Sequence, residues 1–217
     1  MFARAPTPGR AKTRLAPLLG AEGAAALHAR LVEHTLRIAR EARFDTLALH
    51  GTPANDAFLG ACASRHGAVL EAQVAGDLGA RMHAAVASAL AGHDRVILIG
   101  TDCPLLTAQA LRRAASALTG DRDAVFVPVE DGGYALIGLR RCDARLFEAM
   151  PWSTERVMAE TRSRLEALGW RWRELATLWD VDRPQDYERL LASGALAGLQ
   201  PGDALRNRAP GGTRSGP

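Results

Sequence analysis

The run Asp94-Arg-Val-Ile-Leu-Ile-Gly100 limits what this chain can become more than any other stretch. Val96 to Ile99 is an unbroken, mostly β-branched apolar run between a charged pair and a glycine, so it has no polar face to turn toward water. A strand buried on both faces belongs at the centre of a sheet covered by helices on each side. The flanking pattern agrees with that. Leu27, Leu31, Ile38 and Ala42 recur at helical spacing between Gly20 and Ala42. Further helices are expected over Asn55 to Arg65, from Leu78 to about Gly92, from a Thr107 cap to Gly120, over Asp143 to Met150, from Ser153 through Leu168, and after Pro184. Strands are expected at Phe44 to His50, Ala68 to Gln73, Ala124 to Val129, Tyr134 to Leu139 and Trp170 to Leu178. Helices alternating with strands predict an α/β chain: a three-layer α/β/α domain with a mostly parallel sheet, spanning residues 1–197. Residues 198–217, rich in Gly, Pro and Arg without an apolar period, read as a disordered tail.

Ligands of such sheets sit beyond the carboxyl ends of the strands, and the polar clusters of this sequence fall there. The first is the loop Pro6 to Arg14. Pro6 and Pro8 stiffen it, Gly9 lets the backbone approach a ligand closely, and Arg10, Lys12 and Arg14 alternate along it. Lys12 is the only lysine among the 27 Lys and Arg residues. A compact ammonium fits a crowded anionic centre where a planar guanidinium does not, so this loop reads as a phosphate holder ahead of a helix. Only Met1 to Ala3 remain for a strand ahead of it, so the first strand is expected to be unusually short and the natural start to lie upstream.

Asp102 follows the central strand directly, and Pro104 fixes the turn after it, so its carboxylate is expected to face the crevice. Asp182 lies in Asp180-Val181-Asp182 before Pro184; with Gln185 three residues on, it also reads as a helix cap. A hard cation such as Mg²⁺ or Mn²⁺ takes one or two carboxylates and completes its shell with substrate phosphate oxygens. Asp102 and Asp182 are therefore the candidate metal ligands, with Asp131 or Asp180 as the second ligand if Asp182 only caps. Asp131-Gly132-Gly133-Tyr134 combines a carboxylate with room for a bulky group beside a strand end, although a plain Gly-Gly turn has the same composition. Gln73 and Asp77 are candidates for reading a base or ribose edge. Trp152, ahead of Ser153, reads as packing. The six histidines form no metal spacing and no nucleophile arrangement, and a dinucleotide fingerprint is absent.

Composition narrows the partners. The net charge of +3 comes from arginines spread along the chain, with no cationic arm of the kind that binds nucleic acid. Cys62, Cys103 and Cys142 are odd in number and far apart, which fits neither a disulfide framework nor a zinc site and suggests a reducing, cytoplasmic setting. No run is long enough to span a bilayer. A small anionic ligand is the expected partner; oligomeric state is not legible.

Taken in order, the segments Pro8-Gly9-Arg10, Lys12-Thr13-Arg14-Leu15, GDLGARM, GTDCP, EDGGYALIG, MPWST and DVDRPQD resemble a family of bacterial GT-A-type glycosyltransferases, or nucleotide-diphospho-sugar transferases, of undefined substrate. The resemblance runs from Phe2 to about Leu191. It implies the GT-A fold, with Gly9, Arg10, Lys12 and Arg14 holding phosphates and Asp102 and Asp182 matching two metal-binding carboxylates. Arg183 stands where Thr is usual. Catalytic roles are expected for Lys12, Arg14 and Asp131, and nucleotide contacts for Ala3, Gly9, Arg10, Gln73, Asp77, Gly132 and Gly133. The reading is a metal-dependent transferase acting on an activated nucleotide and a small-molecule acceptor. Glycosyl transfer from a nucleotide sugar competes with nucleotidyl transfer from a nucleoside triphosphate. A non-catalytic nucleotide-binding module is the alternative of a different class.

Overall fold

Apolar periodicity and helix caps place most of the elements where the chain changes pattern. The computed structural model describes residues 1–197; the expected tail lies outside the described residues. In order the elements are β1 (Phe2–Arg4), α1 (Ala16–Ala42), β2 (Ala48–Thr52), α2 (Ala57–His66), β3 (Val69–Ala72), α3 (Leu78–Leu90), β4 (Val96–Ile99), α4 (Ala108–Ala117), β5 (Ala124–Pro128), β6 (Tyr134–Leu139), α5 (Val157–Ala167), β7 (Trp172–Glu174) and α6 (Pro184–Ser193). Side chains of Asp56, Asp77 and Thr107 accept from the backbone N–H three residues on and so start α2, α3 and α4. Gly20 breaks the first turn of α1 (φ 70, ψ 167), so the regular helix runs from there to Ala42 as its periodicity predicts.

Three strands pair in parallel in the order β1-β2-β3, and four form the order β4-β6-β5-β7. Within the latter, β6 runs antiparallel to β4 and β5, while β7 is parallel to β5. Alternation along the strands sends side chains to two separate cores. Ile99, Val125, Val127 and Leu136 pack with Val32 and Leu36 of α1, Leu59 of α2 and Leu111 of α4. Leu98, Phe126, Ile137 and Leu139 pack with Met82 and Val86 of α3 and Met158 and Leu165 of α5. This is the expected three-layer α/β/α arrangement. A third cluster joins Leu15, Leu27 and Leu31 to Trp179, Val181 and Leu190, which fastens α6 to the start of α1.

Several local expectations change: Asp143 to Met150 forms only a 3-10 turn at Ala144–Leu146, and the strand expected at Phe44 to His50 runs Ala48–Thr52. Ser153 does not open α5: it sits at φ 63 in the lead-in, and the helix begins at Val157. The late strand shrinks to three residues, because the continuous ladder on β5 covers only Trp172–Glu174, with an isolated bridge from Leu178 to Val129 beyond it. Although expected to be central, β4 lies at one side of its four-stranded sheet, with Val96 and Ile97 only half-buried. Among the described residues no helix is long and apolar enough to cross a membrane, and all three cysteines are free.

One tie between α1 and α2 makes folding pH-dependent. Glu33 accepts from His66 Nε2 (2.8 Å) and Cys62 Sγ (3.1 Å) and pairs with Arg65. Burial would raise its pKa, but these partners together lower it from 4.5 to about 2. A depressed carboxyl contributes stability that is complete above the unfolded pKa and is lost as pH falls through the folded one. The expected result is a loss on the order of 3 kcal/mol between about pH 4.5 and 2. Urea melts of wild type and Glu33→Gln should converge over that interval; parallel curves would show that Glu33 does not carry the dependence.

Candidate active site

The loop after β1 turns tightly. Thr7 O accepts from Arg10 N (3.0 Å) and Ala11 N (3.1 Å), and Gly9 adopts φ 73. Lys12 follows in the left-handed region (φ 49, ψ 43), a conformation that costs an L-residue on the order of 1 kcal/mol. The strain has a visible use, since it turns the side chain inward, where only 5% of it is exposed. Its ammonium lies 2.6 Å from Asp102 Oδ1 and donates to Val181 O at 2.6 Å. Arg14, one turn on and exposed, pairs with Asp182. The single lysine is thus the hub that ties the first loop to the end of β4 and to the segment before α6. Val181 N donates to Asp102 O (2.9 Å) and closes the same junction from the backbone side.

Asp102 stands in a recess, surrounded by protein atoms, yet about half of its side chain remains open to solvent (52%). Burial would raise its pKa; Lys12 and His28 more than offset that, and the carboxyl is held below its usual range. His28, on the buried face of α1, has Nε2 2.9 Å from Arg4 O, so Nε2 carries the proton; its Nδ1 is buried without a partner. Burial lowers the His28 pKa, which keeps the ring neutral behind the loop. Asp180 is pushed up to about 6 by burial and then by the charges of Asp131 and Asp102. Asp180 therefore senses the carboxylates of Asp131 and Asp102 together with the Lys12 ammonium, which offsets their charge only in part.

The remaining candidates divide by what their side chains already do. Arg10 is exposed at the loop tip, and its carbonyl accepts from Arg4 Nη1 (3.4 Å). Ala3 is a buried β1 residue paired with Gly51. Gln73 donates to His50 O (2.9 Å), which ties β3 to β2, and Asp77 caps α3 through Ala80 N (2.8 Å). Asp131 Oδ1 accepts from Gly133 N (2.9 Å), the local turn that a Gly-Gly pair also predicts. Asp182 is not the helix cap. Asp186 Oδ2 accepts from the N–H groups of Asp182 and Arg183 (3.0 and 2.6 Å), so the capping carboxylate comes from Asp186 and the expected Gln185 partner has no part in it.

Gly132 opens no room for a bulky group, contrary to the reading of Asp131 to Tyr134 above. It adopts φ 89, its carbonyl accepts from Met158 N (2.8 Å), and a β-carbon there would collide with the backbone of Glu155. Tyr134 and Trp152 stack edge-on at 6.4 Å under this contact, which is the packing role expected of Trp152. Gly132→Ala should therefore cost roughly 2–4 kcal/mol, combining left-handed strain with the displacement of the Met150–Arg156 segment. A urea midpoint within error of wild type would contradict this.

His28 and the Val181 carbonyl were invisible to the sequence. A histidine on an apolar helix face carries no pattern of its own, and a backbone carbonyl has no residue-type signal. Asp180 was legible as a member of the Asp-Val-Asp cluster; its closeness in charge to Asp102 and Asp131 was not.

The fold is that of nucleotide-diphospho-sugar transferases of GT-A type. The chain belongs to the bacterial family described as "Uncharacterized protein conserved in bacteria (DUF2064)", which matches residues 35–154. A protein from Desulfovibrio desulfuricans G20, described as a candidate nucleotide-diphospho-sugar transferase, is 30% identical over 89% of this chain and 85% of its own, with a TM-score of 0.80. A cytidylyltransferase from Leptospira borgpetersenii shares the fold at 16% identity and a TM-score of 0.57, covering 89% of this chain and 84% of its own. Glucosyl-3-phosphoglycerate synthase from Mycobacterium tuberculosis, solved with Mn²⁺, UDP and glucosyl-3-phosphoglycerate, shares it at 14% and 0.51, covering 78% and 74%. No curated protein sequence matches.

Proposed function

We propose that the protein is a divalent-metal-dependent transferase that acts on a nucleotide-activated substrate, with glycosyl transfer from a nucleotide sugar as the first reading. The observation that carries it is the buried Lys12 ammonium on Asp102, at the strand-end rim where Asp131, Asp180 and Asp182 also gather. An ammonium has three donors. Asp102 and Val181 take two, so the third is available to a phosphate oxygen, with Arg10 and Arg14 at the loop surface to hold the outer charge.

Among the described residues no three His, Cys, Asp or Glu side chains are arranged to enclose a metal ion. A Mg²⁺ or Mn²⁺ ion bound at this rim would complete its shell with phosphate and water. Asp102 would be the first protein ligand. The second would come from Asp180 or Asp182, and Asp180 is favoured because Arg14 already engages Asp182. The metal would supply charge neutralisation at the departing phosphate. Lys12 would hold a phosphate oxygen throughout and offset the repulsion between the acidic rim and the nucleotide.

Nucleotidyl transfer is the second reading, favoured by the inward-turned Lys12, which suits charge build-up on an attacked phosphate better than at a leaving nucleoside diphosphate. Incubation with nucleotide sugars and nucleoside triphosphates, with acceptor panels of sugar alcohols and sugar phosphates, separates them by phosphorus NMR. Nucleoside diphosphate release identifies glycosyl transfer, and pyrophosphate release identifies nucleotidyl transfer. Nucleotide binding without turnover of either kind would return the chain to the class of silent binding modules.

A further inference from the structure

At the end of the sheet remote from the active site, β2 and β4 enclose a groove of about 690 Å³. One wall is the edge of β2 with its lead-in, Phe44 to Ala48; the other is β4 with its lead-in, His93 to Ile99. Ala39 of α1 and Leu111 of α4 cover one face, and Val86 and Ala89 of α3 cover the other. The groove therefore has the shape of one strand position within the sheet, already sandwiched between both helical layers. Its walls are also chemically unsatisfied. Gly100 N bonds to Ala135 O on β6, so by strand alternation the N–H of Ile97 points the other way, into the groove.

The line of β1 runs straight into this space. Met1 N donates to Ala48 O (2.8 Å) and Met1 O accepts from His50 N (2.8 Å), the parallel ladder of β1 on β2 carried back to its first residue. The Lys12–Asp102 pair joins the loops that follow β1 and β4, so these two strands end at the same rim and run in the same direction. The Met1 amine is enclosed, and burial lowers its pKa to about 5, an environment suited to a peptide nitrogen and hostile to an ammonium.

The geometry points to a strand-accepting groove whose occupant is an extended apolar segment of this same protein, encoded immediately ahead of Met1 and continuous with β1. At ~3.3 Å per residue the walls take about four to five residues. The mouth is ringed by Asp45, His93, Asp94 and Arg95, so the segment would enter through a polar residue and turn apolar inside. A separate peptide would have to end against the Met1 amine, whereas a covalent extension places its last carbonyl there without a charge. Seated in this way, the segment would join β1-β2-β3 to β4-β6-β5-β7 as one seven-stranded sheet and would stiffen the base of the loop that carries Lys12.

Two measurements test this. The intact mass of the protein isolated from its own cells should exceed that of a chain starting at Met1; an identical mass would overturn the assignment of the occupant. The chain starting at Met1 should also be compared with two versions carrying five added N-terminal residues, Thr-Val-Val-Leu-Val or Gly-Ser-Gly-Ser-Gly. The apolar extension should raise Tm by roughly 5–10 °C and slow hydrogen exchange at the Ile97 amide, with no such change from the Gly-Ser extension. Folding of the apolar version alone would also support the groove. Equal Tm and equal Ile97 exchange in the two extended chains would overturn it.

Discussion

Replacing Lys12 with alanine is expected to weaken nucleotide binding at least tenfold. A charge-assisted hydrogen bond contributes roughly 1.5–3 kcal/mol, and this ammonium also offsets the carboxylates of Asp102 and Asp180, which otherwise repel phosphate. The contacts of Lys12 make a second forecast. Its side chain is buried and bonds both Asp102 and the Val181 carbonyl, so the alanine variant should also lose stability. The loss should stay near 1–2 kcal/mol, because Asp102 is half open to water and can be solvated once unpaired. Glycine at the same position also removes the ammonium but relieves the left-handed backbone, so Lys12→Gly should melt above Lys12→Ala while binding nucleotide equally poorly. Calorimetric titration with thermal melts reads both quantities. Wild-type affinity in the alanine variant would remove Lys12 from the phosphate site.

The Asp102→Asn variant is expected to uncouple metal from nucleotide. In wild type the two should bind cooperatively, since Mg²⁺ relies on phosphate oxygens to complete its shell. An amide is a poor ligand for a hard cation, so the variant should show the same nucleotide affinity with and without Mg²⁺. Metal-free affinity should hold or rise as a negative charge leaves the recess. The partner carboxylate is assigned by the same titration. Asp180→Asn should lose the coupling, and Asp182→Asn, whose carboxylate is engaged by Arg14, should largely keep it. Neither substitution should disturb the start of α6, because Asp186 supplies that cap. Loss of coupling in Asp182→Asn alone would restore the Asp102–Asp182 pair, and no Mg²⁺ dependence in wild type would remove the metal from the site.

Much of the architecture was readable because burial leaves a local trace. The period of three and four residues in α1 and the stretch Tyr134 to Leu139, which is β6 to the residue, each state which face is covered without reference to the rest of the chain, and the apolar run at Val96 to Ile99 marks β4 itself but not its place in the sheet. The Thr107 cap is legible for the same reason, since donor and acceptor are three residues apart. Strand limits were less secure. Where Phe44 to Leu47 leaves the ladder and where Trp172–Glu174 joins it depends on the length of the neighbouring strand, which local composition does not encode.

The candidate site divides along the same line. That Lys12, Asp102 and the Asp180-Val181-Asp182 segment gather at one rim was legible in the sequence, through an α/β order that puts the loops after parallel strands at one carboxyl edge; the antiparallel β6, whose loop leaves at the other rim, was not. What each of them does there was decided by tertiary contacts. Lys12 meets Val181 across 169 positions, and the contact is to a carbonyl that every residue type possesses. Asp180 and Asp182 are chemically identical in the sequence; one is raised by burial and then by carboxylates from other loops, and the other is claimed by an arginine 168 positions away. Gly132 reads locally as space, yet the chain of Glu155 passes against it. Residue type and spacing carry burial and turn chemistry, because those act over a few residues; charge environment and close backbone approach are sums over distant parts of the chain, and only the folded protein brings them together.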